Sequence, residues 1–355
     1  MRTYWCSDHL VHDPGRLSQP AGGTANYYSE VAQRGVAILD AIAEAGLGDA
    51  VDVADPACDV PAVVAQVHDP AMVDFLRVAF GRVAEEEAWG AGDTPLEDHV
   101  VIAETFARAD DPITSRSRSA RAELGRWCAD TSAPLFAETW KAVAGAARSA
   151  ARAADDVAGG ARAAYALCRP PGHHAGRSRI GGFCYLNNAA IAASQLGATG
   201  LRVAILDVDL HHGNGTQDIF WDRPDVLYAS LHIDPHVDYP YYAGFADERG
   251  GPGAEGANLN LPLPSGTGEA DYLDALDDAL AAIAAFDPDA LVLSLGADTH
   301  RLDPIGEFLL DTSSFARIGD RVASLDRSTV VVQEGGYHLP TLGQSVVGVL
   351  GAFES

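Results

Sequence analysis

The chain has 355 residues, and its acidic residues outnumber its basic residues. It contains 50 Asp and Glu against 24 Lys and Arg, which gives a formal net charge of -26 at pH 7. Such a charge repels phosphate backbones, so we expect no nucleic-acid partner; it also favours solubility. A chain of this length can bury a large core, and no stretch is typical of a linker, so one domain is expected over residues 1–355.

The five cysteines indicate a reducing compartment. Their number is odd and no two are spaced Cys-x-x-Cys, so neither a disulfide framework nor a thiolate metal site is predicted. The first residues lack the apolar core of a signal peptide, and no later segment has about 18 uninterrupted apolar residues. We therefore expect a cytoplasmic protein that does not enter a membrane.

Strands and helices are predicted to alternate in the first half of the chain. Apolar periodicity and turn residues predict a short strand within residues 1–25, helices over Ala25–Leu47, Pro70–Glu87 and Pro134–Val157, and a strand over Pro61–Val67. From about residue 89 to residue 133, Gly, Asp, Pro, Ser and scattered Arg replace the periodicity. This stretch is predicted to be an insertion loop, and loops of that length are usually functional or mobile.

Five apolar runs in the second half each end in polar or glycine-rich residues. The runs are Ala163–Cys168, Val203–Leu206, Val226–Leu231, Ala290–Leu295 and Thr329–Val332. Helices are predicted over Tyr185–Leu196, Glu269–Phe286, Ser313–Leu325 and Pro340–Phe353. This alternation predicts an α/β fold with a central, mostly parallel sheet flanked by helices. Ligands of such sheets bind at the carboxyl ends of the strands, so the polar tails of the five runs are expected to share one crevice.

Ionisable side chains follow the apolar run Val203–Leu206. Because side chains alternate along an extended chain, Asp207, Asp209 and His211 are expected to project to one side. Buried charges need a partner, and oxygen and nitrogen ligands suit a divalent metal. Zinc is the first candidate, with Asp209, His211 and Asp298 as ligands and open positions for water and substrate. The alternative is that these are solvated loop carboxylates.

The other polar tails supply candidates for the rest of a catalytic site. His173 and His174 follow a stiff Pro-Pro-Gly turn, and paired histidines can move a proton to and from a metal-bound water. Tyr337 follows two glycines, where its hydroxyl could donate to an oxyanion. Phe183 and Tyr239 could form the aromatic walls of a narrow slot. The alternative is that each aromatic residue only packs in the core.

Several long motifs in this order resemble the zinc-dependent histone deacetylase family, and within it the bacterial acetylpolyamine amidohydrolase and class II-like branch. They are Arg169–Ala175, Gly182–Asn188, Asp207–Gln217, Ser230–His232, Gly296–Asp298 and Glu334–Tyr337. The resemblance is dense from about residue 163 to residue 345. It implies the arginase/deacetylase fold, with the active site at the carboxyl ends of the strands, and hydrolysis of a small acylated amine to acetate and a free amine.

The resemblance also implies roles for the residues that match the family motifs. These are one Zn²⁺ held by Asp209, His211 and Asp298, the general base and acid His174, its electrostatic partner His173, the oxyanion donor Tyr337, and a carbonyl of Gly182 that holds the substrate amide. Asn214 would orient His174; it stands where some family members have Asp, and a neutral partner stabilises the His174 cation less.

A structural potassium ion is implied as well. Asp207 would orient His173 and would also contribute to a K⁺ site with the backbone carbonyls of Asp209, His211, Ser230 and Leu231.

Substrate choice is where the sequence departs from the polyamine enzymes. In those enzymes the insertion narrows the entrance, supports a homodimer and supplies acidic residues for a distal cation of the substrate. Here Arg121 and Ser132 stand at the acidic positions, and Glu123 lies two residues away. The insertion also carries five arginines, Arg108, Arg116, Arg118, Arg121 and Arg126. One hypothesis is therefore that the substrate is an acylated amine with an anionic or neutral group, or a specialised metabolite; the alternative is that the arginines lie in a solvated loop.

The sequence argues against three other functions. A peptide or protein acetyl-lysine deacetylase uses the same chemistry, but a roofed entrance would exclude folded partners. A two-manganese ureohydrolase would need a ligand at Gly213, which cannot supply one. A non-catalytic protein that binds acylated amines would not need the complete set of metal ligands, histidines and Tyr337. No role is predicted for His300.

Overall fold

Every pair of neighbouring strands in the central sheet is parallel. The structure is a computed structural model that describes residues 1–17, 29–90, 95–107 and 117–354. These residues form an eight-stranded sheet in the order β2-β1-β3-β8-β7-β4-β5-β6. The strands are β1 Arg2–Trp5, β2 Ala50–Asp52, β3 Ala163–Ala166, β4 Val203–Asp207, β5 Val226–Ile233, β6 Asn258–Leu263, β7 Ala290–Leu295 and β8 Ser328–Gln333.

Helices cover both faces of the sheet. They are α1 Gln33–Ala45, α2 Val64–Val67, α3 Pro70–Glu86, α4 Ala120–Trp127, α5 Thr139–Ala158, α6 Asn188–Gly197, α7 Asn214–Phe220, α8 Glu269–Phe286, α9 Thr312–Ala323 and α10 Leu339–Gly351. Residues of α2 to α6 pack in one apolar core, and residues of α1, α8, α9 and α10 pack in the other. The predicted α/β fold is thus confirmed, with a sheet that is parallel throughout the described strands.

The apolar runs of the central strands follow from burial on both faces. In β4, Val203 and Ile205 contact the first core, whereas Ala204 and Leu206 contact the second. All five residues of this strand are buried. A strand between two helical layers needs an apolar side chain at every position, which explains why such strands lack the alternation of half-exposed ones.

The four strands that carry the candidate catalytic residues are neighbours at the centre of the sheet. The order β3-β8-β7-β4 brings together the loops that follow these strands. Parallel pairing aligns their carboxyl ends at the same edge. A shared crevice for the polar tails, as predicted from the sequence, requires this arrangement of strands.

Both strands that the sequence did not predict lie at the edges of the sheet. The strand β2 has three residues, none of them buried, and β6 contains two Asn and one Pro. An edge strand faces solvent on one side, so it does not need the continuous apolar run that marks the central strands. The predicted strand Pro61–Val67 is wrong, because Val64 and Val67 instead bury one side of the short helix α2.

Two helices were also missed. The predicted insertion loop contains α4, and the glycine-rich segment after the metal-ligand motif begins α7. None of the described helices is both long enough and apolar enough to cross a membrane.

We predict that Leu293→Ala will lower the free energy of unfolding by about 3 kcal/mol, because it leaves a cavity between β7 and the second helical layer. Leu293 is fully buried. Val78→Ala on the outer face of α3 is the control, since Val78 is 45% exposed. Urea unfolding measures both variants, and equal losses would contradict the assignment of this core.

Candidate active site

Four loops meet at the carboxyl ends of the central strands. The loop after β3 carries His173 and His174, and the loop after β4 carries Asp209 and His211. The loop after β7 carries Asp298 and the loop after β8 carries Tyr337, so each central strand contributes at least one side chain. The two aspartates are almost fully buried.

Asp209, His211 and Asp298 form a cluster that could hold a metal ion; we call it the metal-ligand cluster. One ligand atom from each residue lies within 4.8 Å of the others. His211 Nδ1 is 3.4 Å from Asp209 Oδ1 and 3.1 Å from Asp298 Oδ2. Ligands of a tetrahedral zinc ion at about 2.1 Å are separated by about 3.4 Å, so these residues fit a small divalent cation.

The electrostatics of the metal-ligand cluster also favour a cation. Burial, and then the neighbouring Asp209, raises the pKa of Asp298 to about 7. Burial alone would raise the pKa of Asp209, but His173 and His211 outweigh it and lower that pKa. Two carboxylates at this separation repel each other in a dry environment, and a divalent ion would relieve the repulsion.

Glycines allow the carboxylates to approach the backbone. The amide of Gly335 donates to Asp209 Oδ2 over 2.7 Å. A Cβ atom at Gly335 would lie 2.5 Å from Asp298 Oδ2, and one at Gly296 would lie 2.1 Å from Asp209 Oδ2. Any larger residue at either position would therefore displace a ligand of the metal-ligand cluster.

His173 is held as a cation by two aspartates. Its Nδ1 atom lies 3.1 Å from Asp207 Oδ2, and its Nε2 atom lies 3.7 Å from Asp209 Oδ1. Burial alone would lower the pKa of His173, but Asp209 and Asp207 outweigh it and raise that pKa to about 10. Tyr228 also donates to Asp207 Oδ2, over 3.1 Å, which fixes the carboxylate.

His174 has the opposite character. Burial, and then positive charge on His173 and His211, lowers its pKa well below the usual value. Its ring lies 4.0 Å from the His173 ring, and its Nδ1 donates to the carboxamide oxygen of Asn214 over 2.8 Å. The imidazole is therefore neutral near pH 7, and its Nε2 atom keeps a free lone pair.

The predicted aromatic walls stand beside two of these residues. The Phe183 and Tyr337 rings are 5.8 Å apart, and the Tyr239 and His174 rings are 4.8 Å apart, both edge to face. Burial raises the pKa of Tyr337 well above 10, so its phenol stays protonated and can donate. Gly182 has a positive φ of 53°, and a Cβ atom there would lie 2.3 Å from the His174 ring. Only glycine allows this close approach.

The structure identifies bracing residues for which the sequence suggested no role. Glu334 is fully buried, and its Oε2 atom accepts from the amides of Gly172 and His173 over 2.7 and 3.1 Å. Asp303 Oδ2 accepts from the amide of Tyr337 over 2.6 Å. A carboxylate that binds backbone amides far along the chain has no sequence signature.

Arg34 braces Tyr337 from the other side. This fully buried residue of α1 donates to the carbonyls of Gly336 and Glu334 over 2.6 and 2.5 Å. Its guanidinium carbon lies 4.6 Å from the centre of the Tyr337 ring. The N-terminal part of the chain thus helps to hold the candidate oxyanion donor.

The two insertion residues predicted to bind substrate are engaged elsewhere. Arg121 forms ion pairs with Glu87 and Glu104, and Glu123 pairs with Arg82. Both side chains are therefore engaged in ion pairs, and their roles in binding substrate stay predictions. Two of the five insertion arginines, Arg108 and Arg116, lie outside the described residues.

Three of the five predicted potassium residues, Asp207, Ser230 and Leu231, lie on the adjacent strands β4 and β5. Asp207 and Ser230 are paired in register between β4 and β5, and Leu231 follows Ser230. His300 has a packing role instead. Its Nδ1 atom accepts from the amide of Leu302, and its ring stacks on that of His338 with centres 6.0 Å apart.

Comparisons with known proteins agree with this geometry. The profile of the histone deacetylase domain matches residues 28–353. The chain belongs to this family. This family member is 43% identical over 359 residues to acetylpolyamine amidohydrolase 1 of Pseudomonas aeruginosa, covering 100% of this chain and 99% of that protein. It is 42% identical over 360 residues to the acetylpolyamine amidohydrolase of Burkholderia pseudomallei, covering 99% and 98% of the two chains.

A solved structure supports the same assignment. The crystal structure of an acetylpolyamine aminohydrolase from Burkholderia pseudomallei matches with a TM-score of 0.88 at 41% identity, over 100% of this chain and 99% of that one. The predicted family, its amidohydrolase branch and its fold are therefore confirmed. Membership of the histone deacetylase family and the metal-ligand cluster together identify the chain as a metal-dependent deacetylase, a class of hydrolase.

We predict that Glu334→Ala will lower kcat of the deacetylase by about tenfold or more, because two buried amides of the His173 turn lose their acceptor. Glu334→Gln is the matched control, since its carboxamide oxygen can still accept from both amides. Steady-state kinetics and bound-metal analysis measure the effect. Equal activity of the two variants would show that Glu334 does not brace this turn.

Proposed function

We propose that this deacetylase hydrolyses small acetylated amines of the acetylpolyamine type and releases acetate and a free amine. The observation that carries the proposal is the buried metal-ligand cluster beside a neutral His174 and a protonated Tyr337. The names of the full-length relatives support an acetylpolyamine-like substrate. We further propose that the metal is a single Zn²⁺, since two carboxylates and one imidazole leave a position open for substrate.

His174 acts as the general base in this proposal. A divalent ion held by Asp209, His211 and Asp298 would supply Lewis acidity toward the acyl carbonyl and the attacking water. The Nε2 atom of His174 accepts the proton of that water, because its Nδ1 atom is bonded to Asn214. His174 then returns the proton to the departing amine.

His173 and Tyr337 stabilise charge during the same steps. The positive charge on His173 lowers the pKa of His174 and so keeps the base neutral before the reaction. The Tyr337 hydroxyl donates to the oxyanion that forms as water adds to the carbonyl. The Gly182 carbonyl holds the N–H of the substrate amide.

The ion pairs of the insertion favour an acetylated polyamine over an anionic acylated amine as the substrate. Arg121 is matched by Glu87 and Glu104, so two carboxylates surround one guanidinium. The overall net charge of -26 attracts cationic ligands. The proposal also includes K⁺ at Asp207, Ser230 and the neighbouring carbonyls, and a homodimer formed through the insertion.

The decisive experiment is turnover of the zinc-loaded enzyme on acetylputrescine, acetylspermidine, an acetyl-lysine peptide and an acetylated amino acid. We expect the two acetylated polyamines to give the highest kcat/KM. Enzyme from which a chelator has removed the metal ion should be inactive. Asp298→Asn should bind metal weakly and lose activity. Preference for the peptide would indicate a peptide deacetylase. Preference for the acetylated amino acid would favour the hypothesis of an anionic substrate.

A second prediction concerns pH. Because the reaction needs neutral His174, kcat/KM rises with pH through the pKa of His174 and is constant above it. Asn214→Asp places an anion beside the imidazole and favours its protonated form, so that pKa rises. We expect the acidic limb of the kcat/KM profile to move to higher pH by about one unit or more. An unchanged limb would mean that His174 is not the base.

A further inference from the structure

A hydroxyl group links one aromatic wall to the insertion. Tyr239 donates to Asp130 Oδ2 over 2.7 Å. Asp130 lies three residues after the end of α4, whereas Tyr239 lies in the loop after β5. The Tyr239 ring stands edge to face against His174, with ring centres 4.8 Å apart. The insertion therefore contacts the candidate base His174 indirectly, through the Tyr239 ring.

The same carboxylate also holds the opposite wall. The amide of Gly182 donates to Asp130 Oδ2 over 3.1 Å. Asp130 Oδ1 accepts from both the amide and the hydroxyl of Ser132, over 2.7 and 2.5 Å. The Ser132 hydroxyl oxygen in turn accepts from the amide of Phe183 over 3.4 Å. Both oxygens of the Asp130 carboxylate are thus occupied by the two walls and by Ser132.

The backbone fixes Asp130 in this position. The amide of Ile180 donates to the Trp127 carbonyl, and the amide of Ala129 donates to the Ile180 carbonyl, both over 2.8 Å. A Cβ atom at Gly181 would lie 2.7 Å from Asp130 Oδ2, so the small residue there makes room for the carboxylate. The end of the insertion is therefore joined to the segment that leads into Gly182 and Phe183.

From these contacts we infer that Asp130 is a positioning residue that locks the two aromatic walls, and that the Tyr239 hydroxyl is the part of the lock that sets acyl-group specificity. The inference rests on the proposed function, because it concerns the substrate channel of the deacetylase. With the hydroxyl bonded, the Tyr239 ring is held against His174, so its position limits the space beside the candidate base. Without the bond, the ring can move aside and admit a longer acyl group.

The test is a double-mutant cycle with Tyr239→Phe, Asp130→Ala and the combined variant, assayed on acetylputrescine and butyrylputrescine. Loss of a hydrogen bond to a charged group predicts a loss of about tenfold in kcat/KM on acetylputrescine for Tyr239→Phe, mostly in KM. The ratio of butyryl to acetyl turnover should rise several-fold. In the Asp130→Ala background, Tyr239→Phe should have no further effect on either quantity.

Tyr242→Phe is the matched control. Tyr242 lies three residues away, is 92% exposed, and its hydroxyl bonds to no residue of the described chain. This variant should keep the kinetics and acyl preference of the wild type. If Asp130→Ala does not fold, the Tyr239→Phe variant alone still tests the acyl-group ratio.

Two outcomes would overturn the inference. An unchanged butyryl-to-acetyl ratio in Tyr239→Phe would show that the hydroxyl does not set specificity. An equal loss from Tyr239→Phe in both backgrounds would show that the hydroxyl acts through a group other than Asp130. Failure of the wild type to deacetylate either compound would instead contradict the proposed function.

Discussion

The structure depends on the burial of several carboxylates at one edge of a parallel sheet. Asp207, Asp209, Asp298 and Glu334 are almost fully buried where the central strands end. Uncompensated charges in such a place would cost more free energy than the surrounding apolar contacts could readily offset. Each carboxylate therefore has its own compensation: an imidazole for Asp207, backbone amides for Glu334, and His211 with a prospective cation for the other two.

This compensation explains why two adjacent histidines differ so much in protonation. His173 faces two carboxylates and is held as a cation, whereas His174 is buried, faces Asn214 and the positive charge of His173, and is held neutral. Neither property belongs to the His-His pair itself. Glu334 fixes the turn through the amides of Gly172 and His173. The two side chains leave this turn in different directions, and the protonation state of each histidine follows from the groups that it then faces.

The features that could be predicted from the sequence are those that leave a pattern of residue types along the chain. The central strands were visible because burial on both faces requires an apolar residue at every position, as in Val203–Leu206. The metal-ligand cluster was visible because its charges follow such a run directly. Asp303, Arg34 and Asp130 were not visible, since their partners are backbone groups and side chains that only the folded chain brings near. The pairing of Arg121 with Glu87 was hidden for the same reason.

The position of β8 has a consequence for how the chain can assemble. This strand lies between β3 and β7 at the centre of the sheet, yet it is the last strand in the sequence. Until Ser328–Gln333 has been synthesised, β3 and β7 cannot be joined, and both present unpaired backbone edges. The two halves of the sheet therefore cannot be joined before the last strand is in place, and the residues that follow this strand, Glu334 and Tyr337, reach the site only with it.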